Sequence, residues 1–458
     1  MGGLNAALNS GRTSLQTNQK AIEITGLNVA NVNTEGYSRQ TPHLTPYPAL
    51  AFGDFFIGTG VTVGAVKRSH DVFLAGQIKD KAMEAGQENS MLNPLAELER
   101  VIGIGEGSLS DEFDQFFDAW RQLSTNPGGE VERQAVLQRG ELIGRAFSNI
   151  YREIQQSEKN INSTITSKID GVNLMLDEVA QLNTRISALE MTGQDANSDR
   201  DRRDMLLKNL SMTIGATTFE TSTGAASVQL PNGMPLVEMG NANNINAVFS
   251  GTDVNLELSF GASTLPIDRN ALGGEFRGLY EVRDVMIPDV VNRLDELAFA
   301  FVSEVNTAHR AGIGLDGVDG RDFFIQPAES TDASSNLQMN ITMTSEIAAG
   351  ESVAPGDNRN ALSILLLEQK QALGNDTFVS YYGKIASTVG VEAARNRQAA
   401  QGFKDSLVQL ENMRDGIDGV SLEEEMINLL KYQRGFEASA RFLSTVDEMM
   451  ATLMTLKR

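Results

Sequence analysis

Residues 161–189 read INSTITSKIDGVNLMLDEVAQLNTRISAL, and this stretch decides the fold class. Its apolar residues recur every three or four positions, as on one face of an α-helix. They are Ile161, Ile165, Ile169, Val172, Leu176, Val179, Leu182, Ile186 and Leu189. The helical pattern extends back to Glu130. A helix of about 60 residues spans about 90 Å at 1.5 Å per residue, so the pattern predicts an elongated helical bundle.

The composition changes after this helix. Residues 212–278 are rich in Thr, Val, Gly and Asn, and apolar and polar residues alternate at 228–230 and 255–258. The tripeptide Pro231-Asn232-Gly233 between two such runs is a hairpin-turn signal. Helical periodicity resumes at about Leu279. We therefore expect a mostly α protein with one small β domain. Its parts are a terminal domain of 1–40 plus 418–458, a helical-bundle domain of 41–211 plus 279–417, and an inserted β-rich outer domain of 212–278.

Both ends of the chain show the 4-3 spacing that is typical of coiled coils. The N-terminal stripe consists of Leu4, Leu8, Leu15, Ile22 and Val29, and it is interrupted by Gly11, Asn18 and Thr25. The C-terminal stripe consists of Leu422, Met426, Leu429, Phe436, Leu443 and Met450, and it is interrupted by Gln433 and Asp447. A capping box formed by Ser421 and Glu424 predicts where the last helix starts.

These interrupted stripes are too weak to hold a lone helix in water. We expect the two ends to lie side by side as a coiled-coil-like pair, with the β domain at the far end of a long hairpin. We further expect the ends to be disordered alone and to fold in an assembly. The alternative, in which the ends simply pair within the core of a monomer, stays open because periodicity does not exclude it.

Charge is distributed unevenly along the chain. There are 38 basic and 60 acidic side chains, a formal net charge of −22, but residues 1–40 carry three basic against two acidic side chains and are nearly neutral. Neutral ends pack against copies of themselves at small electrostatic cost, while an acidic body is better kept in solvent. The pattern predicts a polar homo-oligomer that closes into a ring or helical tube. It argues against nucleic-acid binding, which needs a basic surface.

Few residues are suited to catalysis or metal binding. The chain has no Cys, and its three His residues (His43, His70 and His309) lie far apart in sequence. The glycine-rich residues 103–107 lack the lysine of a phosphate loop, and residues 316–322 lack the spacing of a calcium loop. No apolar run reaches the roughly 20 residues of a membrane span. We expect no enzyme, no cofactor, no metal site and no membrane insertion.

The sequences at the two ends are specific. NVANVNTEGYSRQ at 28–40 resembles the N-terminal signature of the rod, hook and hook-associated proteins of the bacterial flagellum. GVSLEEE at 419–425 and LLKYQR at 429–434 resemble the matching C-terminal signature. Within that family, FFDAWRQLSTNP at 116–127 and GLYEVRD at 278–284 are similar to the hook-associated members that join the hook to the filament.

The resemblance implies a structural subunit of the hook–filament junction that polymerises through its terminal helices. It implies export through the flagellar type III apparatus to the extracellular flagellum. The implied partners are further copies of the chain, the hook protein, a second junction protein, and an export chaperone at the C-terminal region. The implied subunit contacts are Leu4, Leu8, Leu15, Ile22, Asn28, Val29, Asn31, Asn33, Gly36, Tyr37, Leu422, Met426, Leu429, Phe436, Leu443 and Met450.

Two alternatives remain. A rod or hook subunit of the same family would need a β-dominated middle, and the long helix through 161–189 argues against one. A type III-secreted adhesin or effector would use the β domain as its binding module.

Overall fold

The computed structural model describes residues 2–52, 55–221, 223–251, 253–261 and 263–456. It confirms the mostly α class and the predicted long helix. The helices are α1 (Gly2–Ala30), α2 (Val72–Val101), α3 (Leu109–Thr125), α4 (Glu130–Met191), α5 (Asn197–Ile214), α6 (Gly274–Glu281), α7 (Ile287–Arg310), α8 (Arg359–Leu365), α9 (Phe378–Asp418) and α10 (Leu422–Leu456). The strands are β1 (Gln40–Pro46), β2 (Leu50–Phe52), β3 (Phe55–Ile57), β4 (Val61–Arg68), β5 (Thr217–Glu220), β6 (Ala226–Gln229), β7 (Pro235–Glu238), β8 (Asn241–Ala242), β9 (Ile245–Ser250), β10 (Asp253–Phe260) and β11 (Ser263–Pro266).

The chain runs along the helical body four times. It leaves the terminal helices along α2, returns along α4, leaves again through α6 and α7, and returns along α9. At the near end, the backbone N–H of Asp71 donates to Asp418 at 3.1 Å, which joins the start of α2 to the end of α9. At the far end, the buried guanidinium of Arg133 donates to the carbonyls of Thr344 and Ile347. The body is therefore elongated between these two ends.

The β insertion lies on the C-terminal half of α4. Strands β5 to β8 form one antiparallel sheet in chain order, and β9, β10 and β11 form a second. Asn183 of α4 binds the backbone of Ala226 in β6, donating at 2.8 Å and accepting at 2.9 Å. Asn173 binds the backbone of Ile245 in β9 in the same way. The expected position at the far end was wrong, because α4 has already returned towards the terminal helices before the strands begin.

Three other segments refine the sequence prediction. The prolines at 42, 46 and 48 predict irregular to extended structure over about 37–64, and the alternation of Val61, Val63 and Ala65 predicts a short strand. The structure has an antiparallel hairpin of β1 and β4 here, which packs against α1. The sequence at 337–341 also allows a strand, but these residues are irregular, with a single bridge from Met339 to Phe324. Helix α5 continues to Ile214 and α6 begins at Gly274, so the β-rich stretch is shorter at both ends than expected. The turn at Pro231-Asn232-Gly233 is confirmed, since β6 and β7 pair across it.

An aromatic core fills the far end of the body. Phe113, Phe116 and Trp120 of α3 are fully buried against Phe301 of α7 and Phe323, mostly in edge-to-face contacts. Such pairs add stability beyond their burial. The helical spacing of these aromatic residues in the sequence predicts that they form core, and their burial confirms it.

Buried polar side chains hold the irregular segment of 311–358 onto this core. Nδ1 of His309 lies 2.7 Å from the carbonyl oxygen of Arg321, and its Nε2 accepts from the N–H of Ala348 at 3.0 Å. Asn306 accepts from the backbone N–H groups of Phe323 and Phe324. A buried loop needs such partners because unpaired backbone groups are costly. Burial lowers the pKa of His309 to about 4, so the imidazole is neutral near pH 7.

Candidate assembly interface

The terminal helices α1 and α10 pack antiparallel, which confirms the predicted pairing of the two ends. The hydroxyl oxygens of Ser14 and Ser439 are 2.8 Å apart. Fourteen residues further along α1, Nδ2 of Asn28 donates to Oε2 of Glu425 at 3.0 Å. The two contacts lie on one seam and fix the register of the helices over half of their length.

Small and polar residues line this seam. Gly11 faces Phe442 so closely that an added Cβ would lie 3.0 Å from the ring, and Gly435 approaches Asn18 more closely still. Ala21 and Thr25, which continue the spacing of these contacts along α1, are also buried. The residues that interrupt the apolar stripe of α1 therefore form the seam, because they allow the two backbones to approach.

The apolar residues predicted as contacts lie beside the seam. Leu422 and Met426 are exposed. The side chains that are only partly buried are Leu4, Leu8, Leu15, Ile22, Val29, Leu429, Phe436, Leu443 and Met450. The fold of one chain thus leaves much of this apolar surface uncovered, and its use by neighbouring subunits stays a prediction.

A buried amide joins α1, the following loop and α10. Asn28 is 1% exposed and donates through Nδ2 to the carbonyl of Gln40 at 2.9 Å as well as to Glu425. Its Oδ1 accepts from the N–H of Gln40 at 3.0 Å and from the hydroxyl of Tyr37 at 2.9 Å. We call Asn28, Tyr37, Arg39, Gln40 and Glu425 the polar clasp. The side-chain amide of Asn28 thus makes two hydrogen bonds through its nitrogen and two through its oxygen, so it is fully hydrogen-bonded.

The phenol of Tyr37 acts as a donor throughout the ordinary pH range. Burial, with smaller contributions from the carboxylates of Asp201 and Glu425, raises the pKa of Tyr37 to about 12. The ring is half-buried, so Tyr37 packs within its own chain. This position favours the intramolecular role for Tyr37 over a direct subunit contact.

Charge pairs close the polar clasp on the side of α10. Nε of Arg39 donates to the buried carboxylate of Glu425 at 2.8 Å, and its Nη1 donates to Glu424 at 2.6 Å. The backbone N–H of Glu424 approaches Oγ of Ser421 at 3.5 Å, so one half of the predicted capping box is present. The other half is replaced, since the Glu424 carboxylate binds Arg39.

The polar clasp is tied to the helical body by a second group of charges. Asp201 of α5 accepts from the N–H and hydroxyl of Ser38 at 3.0 and 2.8 Å, and from Arg68 of β4 at 2.7 Å. Asp418 at the end of α9 accepts from Ser69 at 2.9 Å. Movement of the terminal helices relative to the body would therefore break buried charge-assisted hydrogen bonds.

The remaining residues of the N-terminal signature shape the turn after α1. Gly36 has a φ of +77° and lies against the side chain of Met205, so a larger residue would be strained and would clash. Asn31 donates to the carbonyl of Leu27 at 2.9 Å, which is the local bond expected at a helix end. Asn33 is exposed.

Sequence reasoning missed the charged half of this site. Arg39 and Glu425 lie in the quoted motifs and Asp201 lies outside them, and none of the three is among the predicted subunit contacts. The available signal was opposite charge: a basic residue beside the N-terminal signature and an acidic run at the start of the C-terminal signature. Only the fold shows that Glu425 and Asp201 are buried and that both face the same loop.

The described residues contain no group of three or more His, Asp or Glu side chains that could hold a metal ion. In the same part of the chain, no helix is both long and apolar enough to cross a membrane. The arrangement suits a mechanical role. The paired helices α1 and α10, which we call the stem, have an uncovered apolar surface and are held to the helical body by buried polar contacts.

Comparisons with known proteins agree with this architecture. Family models match residues 95–324 as the "flagellar hook-associated protein FlgK helical domain", 418–456 as the "flagellar basal body rod FlgEFG protein C-terminal" region, and 8–37 as "flagella basal body rod protein". The two shorter matches coincide with α10 and α1, the helices that form the stem.

Relatives of full length are similar as well. The chain is 25% identical to flagellar hook-associated protein 1 of Bacillus subtilis, over 97% of this chain and 96% of that protein. It is 23% identical to flagellar hook-associated protein 1 of Escherichia coli, over 99% and 100%. The structure of the flagellar hook junction protein FlgK from Burkholderia pseudomallei superposes with a TM-score of 0.69 at 13% identity, covering 75% of this chain and 100% of that one. The chain therefore belongs to the FlgK family of flagellar hook-associated proteins.

Proposed function

We propose that this protein is a structural subunit of the bacterial flagellum that joins the hook to the filament. One observation carries the proposal: the helical domain of the FlgK family and the two terminal segments shared with rod proteins occur in one chain. The fold then adds what a joint requires. The shared segments form one stem, which the polar clasp holds together. The contacts of Ser38 with Asp201 and of Asp418 with Asp71 hold that stem against an elongated body.

The same stem supports a proposal for the partners. We infer that copies of the chain assemble through α1 and α10 into a ring or helical tube, with the hook protein on one side and a second junction protein on the other. An export chaperone would cover the C-terminal region before type III export to the extracellular flagellum. The half-covered apolar side chains of α10 are the surface that such partners would bury.

The predicted division of the chain supports this arrangement as a proposal. The stem would comprise 1–40 plus 418–458, the body 41–211 plus 279–417, and the outer β domain 212–278. Ser38 and Asp418 lie at the boundaries of the stem, and both bind residues of the body. The joint between the two parts would then be the polar clasp and its contacts with Asp201.

The protein is proposed to have no catalytic role. It belongs to a family of structural proteins. The buried His309 and Asn306 are engaged with backbone groups, since His309 binds two of them and Asn306 binds three.

A strain that lacks this chain tests the proposal. It should complete its hooks, release filament subunits into the medium, and fail to swim, and a plasmid copy of the gene should restore attached filaments. A rod or hook subunit would instead leave no complete hook. Attached filaments in the deletion strain would overturn the junction assignment.

An adhesin of the secreted class needs a separate experiment. Deleting 212–278 would be ambiguous, because Val228 and Leu256 share one core with α4. Substitutions at the exposed rings Phe249→Ser and Phe260→Ser leave that core intact. A junction subunit should keep full motility with both changes, whereas an adhesin should lose surface binding.

A further inference from the structure

A cavity lies where the turn after α1, the helical body and the β insertion meet. Its volume is about 230 Å³, several times the roughly 30 Å³ that one water molecule occupies in the liquid. The lining comes from the turn after α1, the start of α2, α5, β5 and the end of α9. A molecule bound in this cavity would therefore contact all three parts of the chain at once.

The carboxylates in the lining already have partners. They are Glu35 with Lys208, Asp201 and Asp204 with Arg68, Glu220 with Arg200, and Asp418 with Ser69. Two cations of the lining are paired as well, Lys208 with Glu411 and Arg414 with Asp415. These charges are therefore held by neighbours in the same chain.

Two other cations of the lining, Lys79 and Arg203, are less well compensated. Nζ of Lys79 donates to the hydroxyl of Thr218 at 2.6 Å, and within the described residues it forms no ion pair. Arg203 is 1% exposed, its ion pair with Glu220 is long at 3.5 Å, and its Nε has no hydrogen-bond partner in the described part of the chain. A buried charge is costly unless it is paired. The uncompensated charge at this cavity is thus positive.

The two cations also affect each other. Burial lowers the pKa of Lys79 and the pKa of Arg203, because both groups are shielded from water. The carboxylates of Asp204 and Asp80 act in the opposite direction on the pKa of Lys79, whereas the charge of Arg203 adds to the lowering. Lys79 and Arg203 are therefore close enough to repel each other, and an anion in the cavity would offset that repulsion.

The remaining walls of the cavity are largely apolar. Ile78 and Leu207 are buried in the lining, and Val72 and Phe219 of the same lining are exposed to solvent. An apolar pocket with a few polar groups is typical of sites for small organic molecules. A bare inorganic ion would leave these walls uncovered, so the lining favours an anion with an apolar body.

We propose that this cavity binds a small organic carboxylate with an apolar body. The carboxylate accepts a hydrogen bond from Lys79 and lies in the field of Arg203, while the apolar body packs on Ile78, Leu207 and Phe219. The bound molecule ties the turn after α1 to α2 and β5, so it stabilises the joint between the stem and the body. This role goes beyond that of a structural subunit, because it makes the stability of the joint depend on a ligand.

Ligand binding to the purified full chain tests the proposal. The probes are benzoate and hexanoate, with benzamide and hexanamide as their neutral matches, and acetate and inorganic phosphate as anions without a large apolar body. Lys79→Met removes the charge and keeps the length of the side chain. Lys81→Met is the matched control, because Lys81 lies on the same helix, pairs with Glu84 and is not part of the lining. Isothermal titration calorimetry gives Kd, and circular dichroism and Trp120 fluorescence confirm folding.

At least one organic probe should bind at a single site. Its Kd should rise about tenfold or more in Lys79→Met, because a charge-assisted hydrogen bond is lost, and should stay within about twofold in Lys81→Met. The neutral amide should bind at least about tenfold more weakly than its acid. At about nine times Kd, the probe should slow amide exchange about tenfold in peptides covering 35–38, 72–79 and 218–220, since binding suppresses opening by 1 + [L]/Kd.

The opposite results would overturn the inference. Equal affinity in Lys79→Met and Lys81→Met would place binding elsewhere, and equal affinity of acid and amide would show that charge plays no part. Acetate or phosphate binding as tightly as the organic probes would show an adventitious ion only. Failure of both probes to bind at millimolar concentration would also refute the proposal. None of these results bears on the junction role, which the deletion strain tests separately.

Discussion

Replacing Asn28 with alanine should release the terminal stem from its clasp. The amide is buried and makes four hydrogen bonds, to Glu425, to Tyr37, and to both backbone groups of Gln40. Alanine leaves these groups in place without the partner. No water reaches a side chain that is 1% exposed in the folded state, so the loss is not compensated locally.

The magnitude follows from the partners that remain. Leaving a buried donor or acceptor unsatisfied costs about 1 to 3 kcal/mol, and more when one partner is charged, as Glu425 is. Glu425 keeps its contact with Arg39, and Tyr37 can turn towards solvent, so the four terms do not add fully. We expect a loss of about 3 to 5 kcal/mol in the stability of the pairing between α1 and α10.

Amide hydrogen exchange measures this loss where it occurs. At about 1.4 kcal/mol per tenfold, a loss of 3 kcal/mol accelerates exchange about 150-fold in peptides of α1 and α10. Peptides of α4 should be unaffected. The matched control is Asn31→Ala, which removes the same amide from a local bond to Leu27 and should change exchange less than threefold. Equal exchange in the two variants would refute the assignment of Asn28 as the hub of the polar clasp.

Three further predictions concern the turn and the far end. Gly36→Ala should destabilise the stem by about 1 to 3 kcal/mol, because φ is +77° and Met205 blocks the added methyl. Gly26→Ala, in an open helical position, should instead stabilise the stem by about 0.5 to 1 kcal/mol. Urea denaturation followed by circular dichroism compares the two variants. His309 has a pKa of about 4 in the folded chain and near 6.5 in the unfolded chain, so protons bind the unfolded chain first as the pH falls. The free energy of unfolding should therefore decrease by about 3 kcal/mol between pH 6.5 and pH 4. Unfolding followed by Trp120 fluorescence should show a flatter pH dependence for His309→Gln, and an unchanged pH profile would contradict the prediction. Asp295→Ala should free the backbone of 332–334, which Asp295 binds, and increase protease cleavage there without loosening the stem.

The elements with strong periodicity were predictable from sequence. The stripe through 161–189 specifies one long helix, because each of its apolar residues meets the same core. The location of the β insertion was not predictable, since it depends on how many times the chain crosses the body. Asn173 and Asn183, which attach the two sheets to α4, look like ordinary polar residues on a helix until their backbone partners are known.

The candidate site was predictable in its segments but not in its contacts. The motifs identified 28–40 and 419–434, and the fold brings these segments together at the polar clasp. Heptad reasoning placed the apolar residues of α1 in the seam, whereas Gly11, Asn18 and Thr25 face α10. The heptad assignment assumes that a helix buries its largest apolar side chains against a single partner, and for α1 this assumption is wrong. A subunit of an assembly has a partner in its own chain and others outside.

This division of surfaces explains why the seam is polar. Hydrogen bonds such as those of Ser14 with Ser439 and of Asn28 with Glu425 specify one register, since a shift would leave buried groups unpaired. Among the described residues, the exposed end of the pair has no such buried network, so the stem depends on the polar clasp to stay closed. In return, the leucine and methionine side chains of α10 remain outside the pair. A chain that buried them internally would be more stable alone, but it would have less apolar surface with which to bind its neighbours.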